Sequence, residues 1–304
     1  MESTSREEFI RDISPGGRYS SIAIIWRRFA SVNITGRLDA ELAPLWPKTL
    51  KAICHTGAGY DHIDIAPLTE CGIQVSNITD AVVPGTADTN LYLMLGALRN
   101  FSFCERVVRN GGWIDQIPLA HDPRGKVSGI LGMGGIGRAV RDRAIPSNFD
   151  KIVYYNRSRL SPESEKGAEY VSDLDKLYEI SDVVNINCPL NKETHHLIDA
   201  TALAKMKKGV VIVNTARGAI IDEQALVDAL ETGHVRSVGS DVFEHEPRPH
   251  PKLLTNENVV IVPHAGTHAV ESRTDMEMAA LENVISFIKT GKSITPVPEQ
   301  RGLF

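Results

Sequence analysis

The stretch Gly129-Ile130-Leu131-Gly132-Met133-Gly134-Gly135-Ile136-Gly137-Arg138 decides how this chain is read. Residues 126–131 are a short apolar run of strand character. Gly132, Gly134 and Gly137 then complete G-x-G-x-x-G ahead of a helical run over residues 138–145. In such a strand-turn-helix the first glycine permits the tight bend and the second lets backbone N–H groups approach a pyrophosphate. The third lets the helix pack closely on its strand. The helix N-terminus adds roughly half a positive charge facing the phosphates.

Glycine-rich turns are common, so context carries the weight. A second strand over residues 151–155 follows the helix and ends about twenty residues past the turn, where NAD enzymes place an acidic residue on the ribose 2′-OH. Here the loop reads Asn156-Arg157-Ser158. A carboxylate would repel a 2′-phosphate, whereas a guanidinium beside a hydroxyl and an amide can grip one. NADP(H) is therefore expected ahead of NAD(H), which remains open. The plain alternative is that Arg157 and Arg159 are ordinary loop cations.

A chain of 304 residues can bury two cores. With 42% hydrophobic and 23% charged residues its composition is that of an ordinary globular protein. A net charge of -5 and the lack of basic blocks argue against a nucleic-acid partner. No apolar run approaches a membrane span, and residues 1–5 lack a signal peptide's basic and apolar regions, so a cytoplasmic protein is expected. Cys54, Cys71, Cys104 and Cys188 form no C-x-x-C pair and read as thiols in a reducing compartment. His264 and His268 are four apart without a third ligand, so no metal site is expected.

In chain order, residues 5–13 read as a helix capped by Ser5, and 39–45 and 63–70 as further helices. Residues 21–26, 50–55 and 72–75 read as strands. The loop Thr56-Gly57-Ala58-Gly59-Tyr60-Asp61 follows the second of these, at a strand's carboxyl end, where its amides could hold an anion. Residues 86–99 form a long helix, apolar on several faces, suited to joining two domains, to a homodimer interface, or to both. Beyond the glycine turn, strands at 182–188, 209–213, 235–242 and 259–262 alternate with helices at 200–206 and 222–231. A final helix spans 269–290.

The blocks GAGYDHIDI (57–65), GILGMGGIGRAV (129–140), NCPLNKETHHLI (187–198), DVFEHEP (241–247) and VPHAGTHA (262–269), in this order, closely resemble the D-2-hydroxyacid dehydrogenase family. Within it they are most similar to the fungal glyoxylate and 2-keto acid reductase branch. The match runs from about residue 53 to about residue 279. The resemblance implies an α/β protein of two Rossmann-like or flavodoxin-like domains with parallel sheets and an intervening cleft. Residues 1–98 plus 269–304 would form the substrate domain and 99–268 the NAD(P)-binding domain. It implies hydride transfer between NAD(P)H and a small 2-keto acid such as glyoxylate or hydroxypyruvate, giving the D-2-hydroxy acid. Its catalytic set falls on Arg217, Glu246 and His264, with the amides of Ala58 and Gly59 for the substrate carboxylate. Its cofactor contacts fall on Gly132, Gly134, Gly135, Ile136, Gly137, Cys188, Pro189, Thr194, Thr215, Ala216, Asp241 and Gly266.

The residue types suit that chemistry. A 2-keto acid needs a cation for its carboxylate and a proton donor at its carbonyl as hydride arrives. The donor in turn needs a group that keeps it protonated. The family also begins with a strand and a helix that this chain lacks before residue 5, so a first βα unit is expected to be missing and sheet edges left uncovered. Two other readings stay open: a dinucleotide-binding interaction protein like the corepressors that share this fold, and an inactive paralogue with a shortened start.

Overall fold

The computed structural model describes residues 3–304, which divide into two compact units, up to Val82 together with Ala269–Phe304, and Val83–His268.

In the first unit, β1 (Ile24–Arg27), β2 (Ala52–His55) and β3 (Gln74–Ser76) form a parallel sheet in the order β1-β2-β3. Helix Arg6–Ile13 starts where expected, because the Ser5 side chain accepts the Glu8 N–H. It buries Phe9 and Ile13 in a core with Ile25, Trp46, Ile53 and Val75. Residues 39–45, expected to be helical, form only a 3-10 turn at Ala43–Leu45, with Pro44 in its first turn. Such a short segment with proline leaves too few backbone bonds to propagate a helix. Beside β3 the late chain supplies a partner: the Asn77 N–H donates to Thr295 O and the Val297 N–H to Val75 O. Among the described residues β1 has a neighbouring strand on one side only, and its Trp26 is exposed. Helix Val270–Thr290 packs against β1 and β2.

The second unit carries β4 (Val127–Leu131), β5 (Lys151–Tyr155), β6 (Glu169–Tyr170), β7 (Val183–Ile186), β8 (Val210–Asn214), β9 (Val235–Ser240) and β10 (Val259–Ile261). All pair in parallel in the order β10-β9-β8-β7-β4-β5-β6. A parallel sheet covered on both faces needs apolar runs rather than alternation, and β8 supplies one, with all five residues buried. From β4 the chain winds to β5 and β6 on one side, then returns to β7 and continues on the other. The reversal leaves a crevice outside the carboxyl ends of β4 and β7, where α/β sheets bind ligands.

Helix Val83–Arg99 belongs to this second unit, so the expected boundary at 98/99 falls at 82/83. Its Leu93 backbone lies against Gly239 of β9, where a β-carbon would sit 2.7 Å from the Leu93 carbonyl oxygen. Leu93, Met94, Ala97 and Leu98 share a core cluster with Val211, Val213 and Val260. A further helix, Phe101–Arg109, buries none of its residues, and Phe101, Val108, Trp113, Ile114 and Leu119 on and beyond it are exposed. No helix of the described residues is long and apolar enough to cross a membrane.

Candidate active site

The glycine turn joins β4 to helix Gly135–Ala144. Gly132 has φ +95°, and a β-carbon there would sit 2.6 Å from the Cys188 N. A β-carbon at Gly134, which caps the helix, would meet nothing within 4 Å. That open space before a helix N-terminus is the cradle a pyrophosphate requires, so these residues fit a dinucleotide. Ile136 packs with the cluster around Ile130 and Val140 on the helix's inner side.

At the end of β5, Asn156 Oδ1 accepts the Met133 N–H at 2.7 Å, tying this loop to the glycine turn. Arg159 is committed to Glu165 at 2.8 Å. Arg157 and Ser158 are exposed, and among the described residues the Arg157 guanidinium has no hydrogen bond or ion pair. The two loop arginines are thus not equivalent: one is structural and one is available.

After β7, burial pushes the Cys188 thiol up to about 11, the direction of an unreactive thiol. Thr194 Oγ1 donates to Pro189 O at 2.7 Å and accepts the Asn191 N–H at 2.8 Å, closing the turn that carries all three. Thr215 Oγ1 accepts from Asn90 Nδ2 at 3.1 Å. Asn90 was not among the expected residues. It lies on helix Val83–Arg99, and its amide on an otherwise apolar face was the available signal. Asp241, just past β9, receives the N–H groups of Ala265 and Gly266, the latter at 2.9 Å. Burial raises its carboxyl above the usual range, against those amides and the His264 charge, which lower it. Asp241 therefore shapes the 264–266 loop.

The three candidate catalytic residues sit on loops at the carboxyl ends of β8, β9 and β10. Asn214 Nδ2 donates to Arg217 O at 2.9 Å while its Oδ1 accepts the Ala216 N–H at 3.0 Å, fixing the turn that presents Arg217. Glu246 Oε2 lies 2.9 Å from His264 Nδ1, and its Oε1 accepts the Phe243 N–H at 3.2 Å. His264 has φ +51°, and its own N–H donates to Asp241 O at 2.7 Å. Burial pushes the Glu246 carboxyl up. The His264 hydrogen bond and charge, the Phe243 amide and the Arg217 charge outweigh it and hold the group below its usual value. An ionised Glu246 against Nδ1 fixes the orientation of the imidazole.

In the first unit, the loop after β2 turns its carbonyls inward. Gly57 O accepts the Ile78 N–H, Ala58 O accepts from Asn77 Nδ2 at 2.7 Å, and Gly59 O lies 3.1 Å from His55 Nε2. Among the described residues the N–H groups of Ala58 and Gly59 donate to no protein acceptor. Pinned carbonyls and free amides make a nest for an anion.

Residues 91–266 match the family described as D-isomer specific 2-hydroxyacid dehydrogenase, NAD binding domain. The chain is 49% identical to glyoxylate reductase 1 of Saccharomyces cerevisiae, over 98% of this chain and 87% of that protein. It is also 49% identical to 4-methyl-2-oxopentanoate reductase A of Aspergillus oryzae, over 99% of this chain and 91% of that one. The crystal structure of a glyoxylate reductase from Paecilomyes thermophila superposes with a TM-score of 0.94 at 49% identity, covering 97% of this chain and 89% of that chain. With the dinucleotide turn, the parallel sheet and the His264–Glu246 pair in place, the chain belongs to the D-isomer specific 2-hydroxyacid dehydrogenase family.

Proposed function

We propose that this protein reduces a small 2-keto acid to the D-2-hydroxy acid at the expense of NADPH, with His264 as the proton donor. The observation that carries the reading is the 2.9 Å contact between Glu246 and His264 on the sheet edge that also bears the glycine turn. Bound NADPH supplies the hydride. The residues do the rest. Arg217 neutralises the carboxylate and polarises the carbonyl, so negative charge gathering on the carbonyl oxygen is stabilised as it forms. Protonated His264 delivers its Nε2 proton to that oxygen, and Glu246 holds the imidazolium in register. In the reverse direction neutral His264 accepts the proton. The free amides of Ala58 and Gly59 are assigned to the carboxylate.

Arg157, exposed and uncommitted beside Ser158, is assigned to the 2′-phosphate, which gives the preference for NADPH over NADH. Gly132, Gly134, Gly135, Ile136 and Gly137 would hold the pyrophosphate. Asn156, Cys188, Pro189, Thr194, Thr215, Ala216, Asp241 and Gly266 would line the rest of the dinucleotide's path. Relatives named for glyoxylate and for 4-methyl-2-oxopentanoate support a 2-keto acid substrate without fixing its side chain. The exposed apolar residues from Phe101 to Leu119 suit burial against a second copy as a homodimer. Four free cysteines suit a reducing compartment such as the cytoplasm.

The test is NADPH and NADH oxidation by the purified protein with glyoxylate, hydroxypyruvate and 4-methyl-2-oxopentanoate. Turnover of at least one acid, faster with NADPH, is expected, and hydroxypyruvate should yield only the D product. A folded protein that turns over none of the three would overturn the proposal.

A further inference from the structure

Helix Val83–Arg99 places Val83, Thr86, Asn90 and Leu93 along one face, at intervals of three and four residues. Each meets a different segment of the same unit. Val83 Cγ2 lies 3.3 Å from where a β-carbon on Gly135 would sit, and Thr86 Oγ1 lies 3.5 Å from one on Gly266. The Leu93 carbonyl faces Gly239 of β9. Asn90 Nδ2 donates to Thr215 Oγ1 at 3.1 Å, and among the described residues the Thr215 side chain has no other hydrogen-bond partner.

Asn90 is fully buried, and its Oδ1 has no hydrogen-bond partner among the described residues. A leucine at this position would fill similar space without the cost of burying an unpaired carbonyl. Packing alone therefore does not explain the amide. Its bond to Thr215 does, through what Thr215 carries.

Thr215 opens the turn that presents Arg217, directly after Asn214 at the end of β8. Asn214 ties that turn to its own strand, by accepting the Ala216 N–H at 3.0 Å and donating to Arg217 O at 2.9 Å. Asn90 holds the same turn from the helix, across 125 positions of sequence. The guanidinium in turn rests on it, because Arg217 Nη1 donates to Ala216 O at 2.7 Å. A shift of Thr215 thus reaches Arg217 by two routes, the backbone and the Nη1 bond.

We propose that Asn90 is a positioning residue for Arg217: its amide fixes Thr215, and with it the Ala216 carbonyl that holds the guanidinium in place for the substrate carboxylate. The proposal rests on the role given to Arg217 above. A polar clasp suits this task better than an apolar contact, since a hydrogen bond sets direction as well as distance.

The experiment is a double-mutant cycle of Asn90→Leu and Arg217→Met, separately and together, at saturating NADPH. Each variant is checked for a cooperative melt and assayed for single-turnover reduction of the best 2-keto acid. Asn90→Leu alone is expected to slow reduction about tenfold to hundredfold, the scale on which a misplaced group costs rate. In the Arg217→Met background the same change should cost about twofold or less, because the group it positions is gone. A loss in that background equal to the loss in wild type overturns the proposal, as does a wild-type rate in Asn90→Leu. Should Asn90→Leu not melt cooperatively, Thr215→Val removes the same bond with less change of shape and enters the cycle in its place. If wild type turns over no 2-keto acid, the proposed function fails and hydrogen exchange decides the clasp. The Ala216 N–H should exchange faster in Asn90→Leu than in wild type, and equal exchange overturns it.

Discussion

A β-carbon at Gly137 would sit 2.1 Å from the carbonyl oxygen of Gly132, the first glycine of the same turn. At Gly134 it would meet no protein atom within 4 Å. Gly137→Ala should therefore damage the fold, by about 1 to 3 kcal/mol as for other overpacked sites, seen as a lowered urea midpoint. Gly134→Ala should melt like wild type yet lose NADPH binding by calorimetry, because its methyl group would enter the space assigned to the pyrophosphate. Equal NADPH affinity in Gly134→Ala would place the dinucleotide elsewhere.

Arg157 and Arg159 should separate in the same way. Arg159 holds Glu165, whose carboxylate also accepts from Tyr154 at 2.7 Å, so Arg159→Ala should act on stability. Arg157→Ala should leave the melt alone and weaken NADPH binding about tenfold to hundredfold, since a charge-assisted hydrogen bond is worth about 1.5 to 3 kcal/mol. NADH binding should barely change. A parallel loss for both nucleotides would remove the 2′-phosphate from this loop.

The depressed carboxyl of Glu246 gives a stability signature with a fixed sign. A group held below its ordinary value, near 4.5, contributes stability that is fully present above that pH and is lost as pH falls through its lower folded value. Glu246→Gln should thus be less stable than wild type at pH 6, with the gap in urea midpoint closing toward acid. A gap that widened toward acid would contradict the ionised Glu246–His264 pair.

The exposed segment after helix Phe101–Arg109 gives a solution test. Trp113, Ile114 and Leu119 are mostly exposed, at 68%, 68% and 96%. Sedimentation should report a dimer for wild type, and Ile114→Asp with Leu119→Asp should shift it toward monomer. A monomeric wild type at micromolar concentration would leave that surface to another role.

Where the sequence pattern was local, it was legible. Residues 126–131 and 151–155 read as strands because each is an apolar run between turn signals, and Ser5 read as a cap because its hydroxyl needs only an amide three residues away. What failed depended on distant partners. Helix Val83–Arg99 is apolar on several faces, and which sheet covers them is decided by Gly239 and Val260, far along the chain, so its unit was misplaced. Helix Phe101–Arg109 was missed because none of its residues is fully buried, so its apolar side chains mark no core. Asn90 pairs with Thr215 across 125 positions, and the reciprocal bonds of Glu223 and Glu244 span 21, beyond any periodicity argument. Arg217, Glu246 and His264 could be listed from their blocks, but their convergence needed the carboxyl ends of β8, β9 and β10 to meet at one edge.

The most direct test of the central claim is His264→Gln, assayed for NADPH binding and for single-turnover reduction of the best 2-keto acid. Unchanged NADPH affinity with turnover reduced about 100- to 10,000-fold, the range for losing a general acid, is the expected result. Turnover within a few fold of wild type would contradict His264 as the proton donor.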